Sequence, residues 1–285
     1  MSRIGIALHR FRPDAVVVAQ QISAWASMHE AVVIVDEADV AVVGNDFVQV
    51  GDVGDVDVLV SVGGDGTMLR AVRALNGRAV PIIGVNLGLL GYLTGIEPDM
   101  VTDALDAWHS GKEGESFTCE DRMLLHVDIW SQGAQLASHL ALNEVVIEKR
   151  DPGHTVRLAV DIDHVAFTTY AADGLILSTP TGSTAYSLSA RGPILSPRLR
   201  AILITPLSPH MLFDRSMVLD PNEPVRVEVL GHRAVTVATD GDMVHTLKPG
   251  DVIEVRAAKE VARFMKFGEQ KFHQILKNKF GLADR

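Results

Sequence analysis

Residues Val56 to Val62 form a nearly continuous, β-branched apolar run that breaks into Gly63-Gly64-Asp65-Gly66-Thr67. Met68, Leu69, Val72 and Leu75 then recur at helical spacing. A run of that kind reads as a strand covered on both faces, and the glycine turn that leads into a helix makes it half of a β-α-β unit. Its neighbours read the same way. Ile4 to Leu8 is a short strand, Pro13 and Asp14 open a helix through about Met28, and Ala31 to Val35 is a second strand. Pro81 leads into another at Ile82 to Val85. This order predicts an α/β domain with a doubly wound parallel sheet.

From about Cys119 the periodicity shortens. Apolar segments at Leu124 to Trp130, Val145 to Ile147, Val156 to Ile162, Val165 to Tyr170, Val225 to Leu230, Ala234 to Ala238 and Val252 to Val255 are separated by turn signals. Those signals include Asp151-Pro152-Gly153, Asp220-Pro221-Asn222 and Asp240-Gly241-Asp242. One helix, after Thr184, interrupts them. The expected organisation is an α/β domain over 1–115, a mostly-β, sandwich-like domain over 116–265, and a C-terminal helix over 266–285. That helix has Phe272, Ile275, Leu276 and Phe280 on one face and is expected to pack back on the first domain.

A formal net charge of −10 provides no global field for nucleic acid or an anionic membrane. A polyanionic substrate would need local N–H groups, hydroxyls, a few Arg or Lys, or a divalent cation. Cys119 is the single cysteine, which excludes an internal disulfide framework or thiolate cluster and fits a reducing compartment. The apolar start at Ile4 to Leu8 runs into His9-Arg10-Phe11-Arg12 with no cleavage pattern, and no run approaches a membrane span. The cytoplasm is the expected location.

Four constellations could carry chemistry. A strand that turns through Gly63-Gly64-Asp65-Gly66-Thr67 into a helix aims several N–H groups and a positive helix end at one point. Asp65 there would bind Mg²⁺ or accept a proton from a hydroxyl, or it would merely cap the helix; the turn alone supports either reading. It is neither a Walker loop nor a dinucleotide Gly-x-Gly-x-x-Gly. The second constellation, Asp173 to Ser189, holds six hydroxyl residues between Ser178 and Tyr186, more than a helix cap needs, which favours a ribose or phosphate ligand. The third, Asn143-Glu144 in an apolar strand, points one polar side chain inward toward a partner, unless the pair is a solvated strand end. The fourth, Gly84 to Leu93, is a glycine-punctuated loop that lines a cleft or packs beside a linker. The 11 His show no metal-ligand spacing on one helix, and Cys119 has no activating context.

Together and in this order, these motifs resemble the NAD kinase family, of the bacterial ATP- or polyphosphate-dependent type. The resemblance rests on Gly63 to Thr67, Gly88 to Leu93, Asn143-Glu144, Asp173 to Pro193 and Ile204 to His210, and runs from about Val56 to Asp242. It implies transfer of the terminal phosphate of ATP, or of polyphosphate in some members, to the 2′-hydroxyl of the adenosine ribose of NAD, giving NADP. It implies Asp65 as proton acceptor, Gly63, Gly64 and Thr67 as the phosphate turn, and Gly66 against the nucleotide. Asn143 and Glu144 would hold the dinucleotide and Asp173 would meet a base. Thr181, Thr184, Ala185, Tyr186, Ser187, Leu188 and Ser189 would wrap the adenosine end, with Arg70 and His154 as further polar contacts. Mg²⁺ would come with the donor phosphate and not from a protein cluster. The site would lie between the domains, and the chain would be a homodimer or homotetramer.

There are departures. Family members commonly have glycine where this chain has Arg191, and a polar residue at the place of Leu89. Gly-Gly-Asp-Gly also occurs in lipid kinases of the diacylglycerol type, and an NAD-binding sensor without catalysis is a further alternative. The hydroxyl-rich loop and the Asn-Glu pair speak against the first, and an intact Asp65 against the second.

Overall fold

The computed structural model describes residues 1–43, 48–88, 91–93, 95–268 and 271–282. They fall into two compact units, one of residues 1–121 with 262–285 and one of residues 122–261.

The first unit begins with β1 (Arg3–Leu8), α1 (Pro13–Met28), β2 (Val32–Val35), α2 (Glu37–Val43) and β3 (Gln49–Val50). It continues through β4 (Val58–Gly63), α3 (Asp65–Leu75), β5 (Pro81–Asn86) and α4 (Val101–His109). The strands lie in the order β3-β2-β1-β4-β5, every pair parallel. Every residue of β4 is buried, as its β-branched composition requires when helices cover both faces. Ile4, Ile6, Leu8, Val58, Val60 and Val62 share a core with Val18, Ile22 and Trp25 of α1 and Val101 and Leu105 of α4. The α3 helix buries Met68, Ala71, Val72 and Leu75 and stops at Asn76, whose φ of 45° is left-handed. The doubly wound reading therefore holds. Two helices, α2 and α4, go beyond it. Residues Val101, Ala104 and Leu105 of α4 are buried at i, i+3 and i+4, a pattern visible in the sequence. By contrast, α2 is seven residues long and buries Asp39 together with Val43, so it carries no clear apolar stripe.

The second unit is mostly β: β6 (Thr118–Ser131), β7 (Ala134–Ala141), β8 (Glu144–Lys149), β9 (Val156–Ile162), β10 (Val165–Ala172) and β11 (Gly174–Ser178). After a 3₁₀ turn at Gly182–Thr184 come α5 (Tyr186–Ser189), β12 (Ile202–Leu207), β13 (Met217–Leu219), β14 (Val225–Leu230), β15 (Val235–Thr239), β16 (Asp242–Leu247) and β17 (Val252–Lys266). One sheet runs β13-β12-β11-β8-β15-β16, and β10-β9-β14-β17 lie in another, with β6 paired to β17 and β7. Alternate residues such as Val225, Val227 and Val229 join Val145, Ile147, Leu175 and Leu177 in a single core, the packing of a sandwich. The helix expected after Thr184 is one turn long. The last residues of β17 pair parallel with β5, and α6 (Phe272–Lys279) completes the first unit. No helix of the described residues is long and apolar enough to cross a membrane.

Candidate functional site

At the centre of the first unit β1 and β4 are neighbours, and the chain leaves them toward opposite edges of the sheet. Such a reversal opens a crevice at the carboxyl ends of the strands. Leu8 ends β1 there and Gly63 ends β4, and the His9 N–H donates to the Val62 carbonyl at 2.9 Å. Gly63 is required by packing, because a Cβ would overlap the side chain of Thr67. Gly64 and Gly66 are not: a Cβ at either would meet nothing within 4 Å, and Gly64 is extended at φ −113°. Their smallness leaves the N–H groups of Asp65 and Gly66 at the start of α3 open to a ligand, while the Thr67 N–H donates to the Gly64 carbonyl at 3.0 Å.

Asp65 is the first residue of α3, yet its side chain does not cap that helix. Its Oδ2 accepts the Tyr92 N–H at 3.0 Å and its Oδ1 the Leu93 N–H at 3.1 Å. The loop after β5 is thereby fastened to the turn, and the Leu87 N–H donates to the Gly63 carbonyl at 3.0 Å. Leu89 and Leu90 of that loop lie outside the described residues.

Sequence reasoning missed Asp39, Arg10 and Arg12. Asp39 is 1% exposed and is clamped by two guanidiniums. Arg10 Nε lies 2.6 Å from Oδ1, and Arg70 donates to both carboxylate oxygens at 3.2 and 3.1 Å. Arg70 also donates to the Leu8 carbonyl, so its guanidinium is engaged in holding the end of β1. Arg12 pairs with Asp14 at 2.7 Å, and its Nη1 lies 3.2 Å from where a Cβ of Gly88 would stand. Three cations thus gather at one sheet edge of an acidic chain. Their signal was the basic run directly after a strand, His9 to Arg12, noticed only as the end of an apolar start.

In the second unit Glu144 opens β8 and Asn143 stands in the bend just before it. The N–H groups of Leu142, Asn143 and Glu144 all donate to Asp240, at 2.8, 2.7 and 3.1 Å. Asp240 had been read only as a turn signal. Glu144 is 6% exposed and its Oε2 has no hydrogen-bond partner among the described residues. Burial first, and the charge of Asp240 second, push its carboxyl up to about 8, opposed by the N–H of Tyr186. Glu144 is therefore the inward-pointing member of the pair, and the solvated strand end is excluded for it. Asn143 is half-buried, and its carbonyl accepts the Thr179 N–H at 2.9 Å. Asp173 pairs with Lys149 at 2.6 Å. The phenol of Tyr186, 39% exposed, is pushed up by burial and then by the charges of Glu148 and Asp173. His154 is exposed on the turn that follows Lys149 and β8.

The hydroxyl surplus has a different use from the one its count suggested. Thr179 donates to the Leu142 carbonyl at 2.6 Å, Ser183 to Pro180 at 2.7 Å, and Thr184 to Thr181 at 3.2 Å. Ser187 is buried against Thr205 at 3.0 Å, and Arg122 reaches Thr181 at 3.4 Å. These hydroxyls build the loop. Tyr186 and Ser189 are exposed, and Thr184, Ala185 and Leu188 are half-buried. Arg191 is exposed with φ +67°, the left-handed region that favours glycine. Cys119 is half-buried, and burial first, then Glu113, push its thiol up to about 11, far from a nucleophile. Among the described residues no three His, Cys, Asp or Glu side chains are grouped to hold a metal.

The first unit thus offers N–H groups, Asp65 and three guanidiniums paired to Asp39 and Asp14 at its sheet edge, and the second offers Asn143, the buried Glu144 and the Lys149–Asp173 pair. Comparison with known proteins finds two family domains along the chain. Residues 45–112 match the ATP-NAD kinase N-terminal domain and residues 142–267 the ATP-NAD kinase C-terminal domain. The chain is 37% identical to an NAD kinase of Syntrophotalea carbinolica across the whole of both chains. It superposes on yeast NADH kinase complexed with NADH with a TM-score of 0.91 at 26% identity, over 100% of this chain and 89% of the other. For an NAD kinase of Archaeoglobus fulgidus in complex with ATP the TM-score is 0.72 at 25% identity, over 98% and 97% of the two chains.

Proposed function

The chain belongs to the NAD kinase family, a family of phosphotransferases, and from that premise we propose how its residues move phosphate from ATP to NAD. Asp65 accepts the proton of the adenosine-ribose 2′-hydroxyl as that oxygen bonds to the terminal phosphorus of ATP. The bond from that phosphorus to its bridging oxygen breaks, and ADP leaves. Phosphoryl transfer mainly needs positioning and charge neutralisation. The N–H groups at Gly64 to Gly66 receive donor phosphate, with Arg10 and Arg12, ion-paired to Asp39 and Asp14, as nearby cations. Arg70 shapes the end of β1 through Asp39. Mg²⁺ typically keeps several waters and binds through substrate phosphates; it would come with the donor phosphate and neutralise its charge, which leaves Asp65, fixed by the Tyr92 and Leu93 N–H groups, to take the ribose proton.

NAD is held by Asn143, Glu144 and Asp173, whose acceptor-rich surroundings suit ribose hydroxyls and a base amino group. Tyr186 supplies a ring for stacking, and Thr181, Thr184, Ala185, Ser187, Leu188 and Ser189 shape the wall beside it. His154, on a turn, is a weaker contact. The observation that carries the reading is the Asp65 carboxylate, fixed by two N–H groups of another loop instead of by its own helix. The lone cysteine supports a cytoplasmic enzyme. The exposed apolar side chains Val165, Phe167 and Leu212 support self-association through the second unit into a homodimer or homotetramer.

The test is an incubation with ATP, Mg²⁺ and NAD, read by a dehydrogenase that accepts only NADP, with polyphosphate as a second donor arm. NADP must form in wild type and fall sharply in Asn143→Ala and Asp65→Asn. Unchanged NADP formation in both variants would overturn the assignment of roles, and product with diacylglycerol in place of NAD would overturn the acceptor.

A further inference from the structure

The carboxylate of Asp65 is aimed by the backbone of Tyr92 and Leu93, and that backbone belongs to a loop and not to a regular element. What steadies the loop comes from the far end of the chain. The ring of Tyr92 lies 6.5 Å from that of Phe272 at an interplanar angle of 46°, and Lys279 Nζ sits 4.2 Å from its centroid. Phe272 and Lys279 are the first and last residues of α6, seven apart and so on one face of the helix. Ile275, also on that face, is buried and roots α6 in the unit. The ring is therefore gripped at both ends of a two-turn helix.

We propose that α6 is a brace for catalysis: Phe272 and Lys279 clamp the ring of Tyr92 and thereby hold its N–H on Asp65. Phe272, Tyr92 and Lys279 are positioning residues, acting through the backbone N–H and not on substrate. The inference rests on Asp65 being the proton acceptor. A catalytic group released from its aim by an ångström loses turnover about a hundredfold, so a modest loss of clamping is visible in kcat. An exposed cation–π contact accounts for about a two- to fivefold change in an equilibrium, and loss of the whole ring contact for about tenfold or more.

Two readouts keep the brace separate from the role of Asp65. The first is amide hydrogen exchange at Tyr92 and Leu93, which reports how firmly the N–H groups are held whatever Asp65 does. The second is the split between kcat and KM for NAD. In Lys279→Ala and Phe272→Leu both amides are expected to exchange about two- to fivefold faster, with kcat lowered in proportion and KM for NAD unchanged. Tyr92→Leu does the same more strongly, and Tyr92→Phe, which keeps the ring, restores both readouts. With Asp65→Asn added, the α6 variants still accelerate exchange but lower residual turnover no further. Unchanged exchange in Lys279→Ala and Phe272→Leu overturns the brace. So does faster exchange with kcat intact, or a rise in KM at constant kcat, which would make these residues ligand contacts. An active Asp65→Asn would instead defeat the proton-acceptor reading and leave the exchange result to judge the brace.

Discussion

Replacing Gly66 by alanine separates what the fold needs from what the reaction needs. Gly66 lies in the first turn of α3, is exposed, and would place a Cβ with nothing within 4 Å. Glycine in a helix is less favourable than alanine by about 0.5–1 kcal/mol, because it loses more backbone freedom on folding. Nothing among the described residues opposes the added methyl, so Gly66→Ala gains stability of that order. The methyl nevertheless stands over the N–H groups assigned to donor phosphate, and a backbone donor masked from a transferring phosphate costs about 3 kcal/mol, or about a hundredfold in turnover. Urea unfolding and NADP formation, measured on the same preparation, are thus expected to move in opposite directions. Gly63→Ala is the internal control: its methyl collides with Thr67 and lowers stability and activity together. A Gly66→Ala protein that is stabilised and fully active would refute the assignment of this turn to phosphate.

Glu144 takes up a proton on folding, since its carboxyl moves from 4.5 to about 8, so its contribution to stability is lost as pH rises through that window, by up to ~1.4 kcal/mol per pH unit. Glu144→Gln, neutral throughout, is expected to gain on wild type between pH 5 and pH 8 in urea unfolding midpoints; an equal difference at both pH values would contradict the buried, protonated carboxyl. Arg191 holds a left-handed φ of +67° with its side chain in solvent, so Arg191→Gly is expected to raise stability by about 0.5–1 kcal/mol, with turnover retained. A lowered melting temperature in that variant would show that Arg191 makes contacts worth more than its backbone strain.

The sequence was most legible where one residue type can serve one purpose. The β-branched run of β4 and the alternating valines of β14 state their burial directly, and the sheet of the first unit follows from its alternation of strands and helices. The glycine turn and Asn143-Glu144 were visible because polar or glycine residues interrupt apolar strands. What escaped depends on contacts between segments far apart in the chain. Asp39 looks like any surface carboxylate until Arg10 and Arg70 close on it, and Asp240 looks like a turn residue until three N–H groups converge on it. The hydroxyls of Thr179, Ser183 and Ser187 were counted toward a ligand, because a sequence gives a hydroxyl no direction. Tyr92 gave no hint that its N–H aims Asp65, since backbone donors carry no side-chain signature.

The account turns on Asp65 as the group that takes the ribose proton, and Asp65→Asn with NAD binding and turnover measured together tests it most directly. The amide is close in shape to the carboxylate but keeps one oxygen for the two N–H groups of Tyr92 and Leu93, so one loop hydrogen bond is lost while the fold is expected to persist and NAD affinity to stay within about threefold of wild type by titration calorimetry. NADP formation, in contrast, is expected to fall by about 10²–10⁴, the usual range for a lost general base. Near-normal NADP formation by an Asp65→Asn protein that binds NAD normally would contradict the central claim.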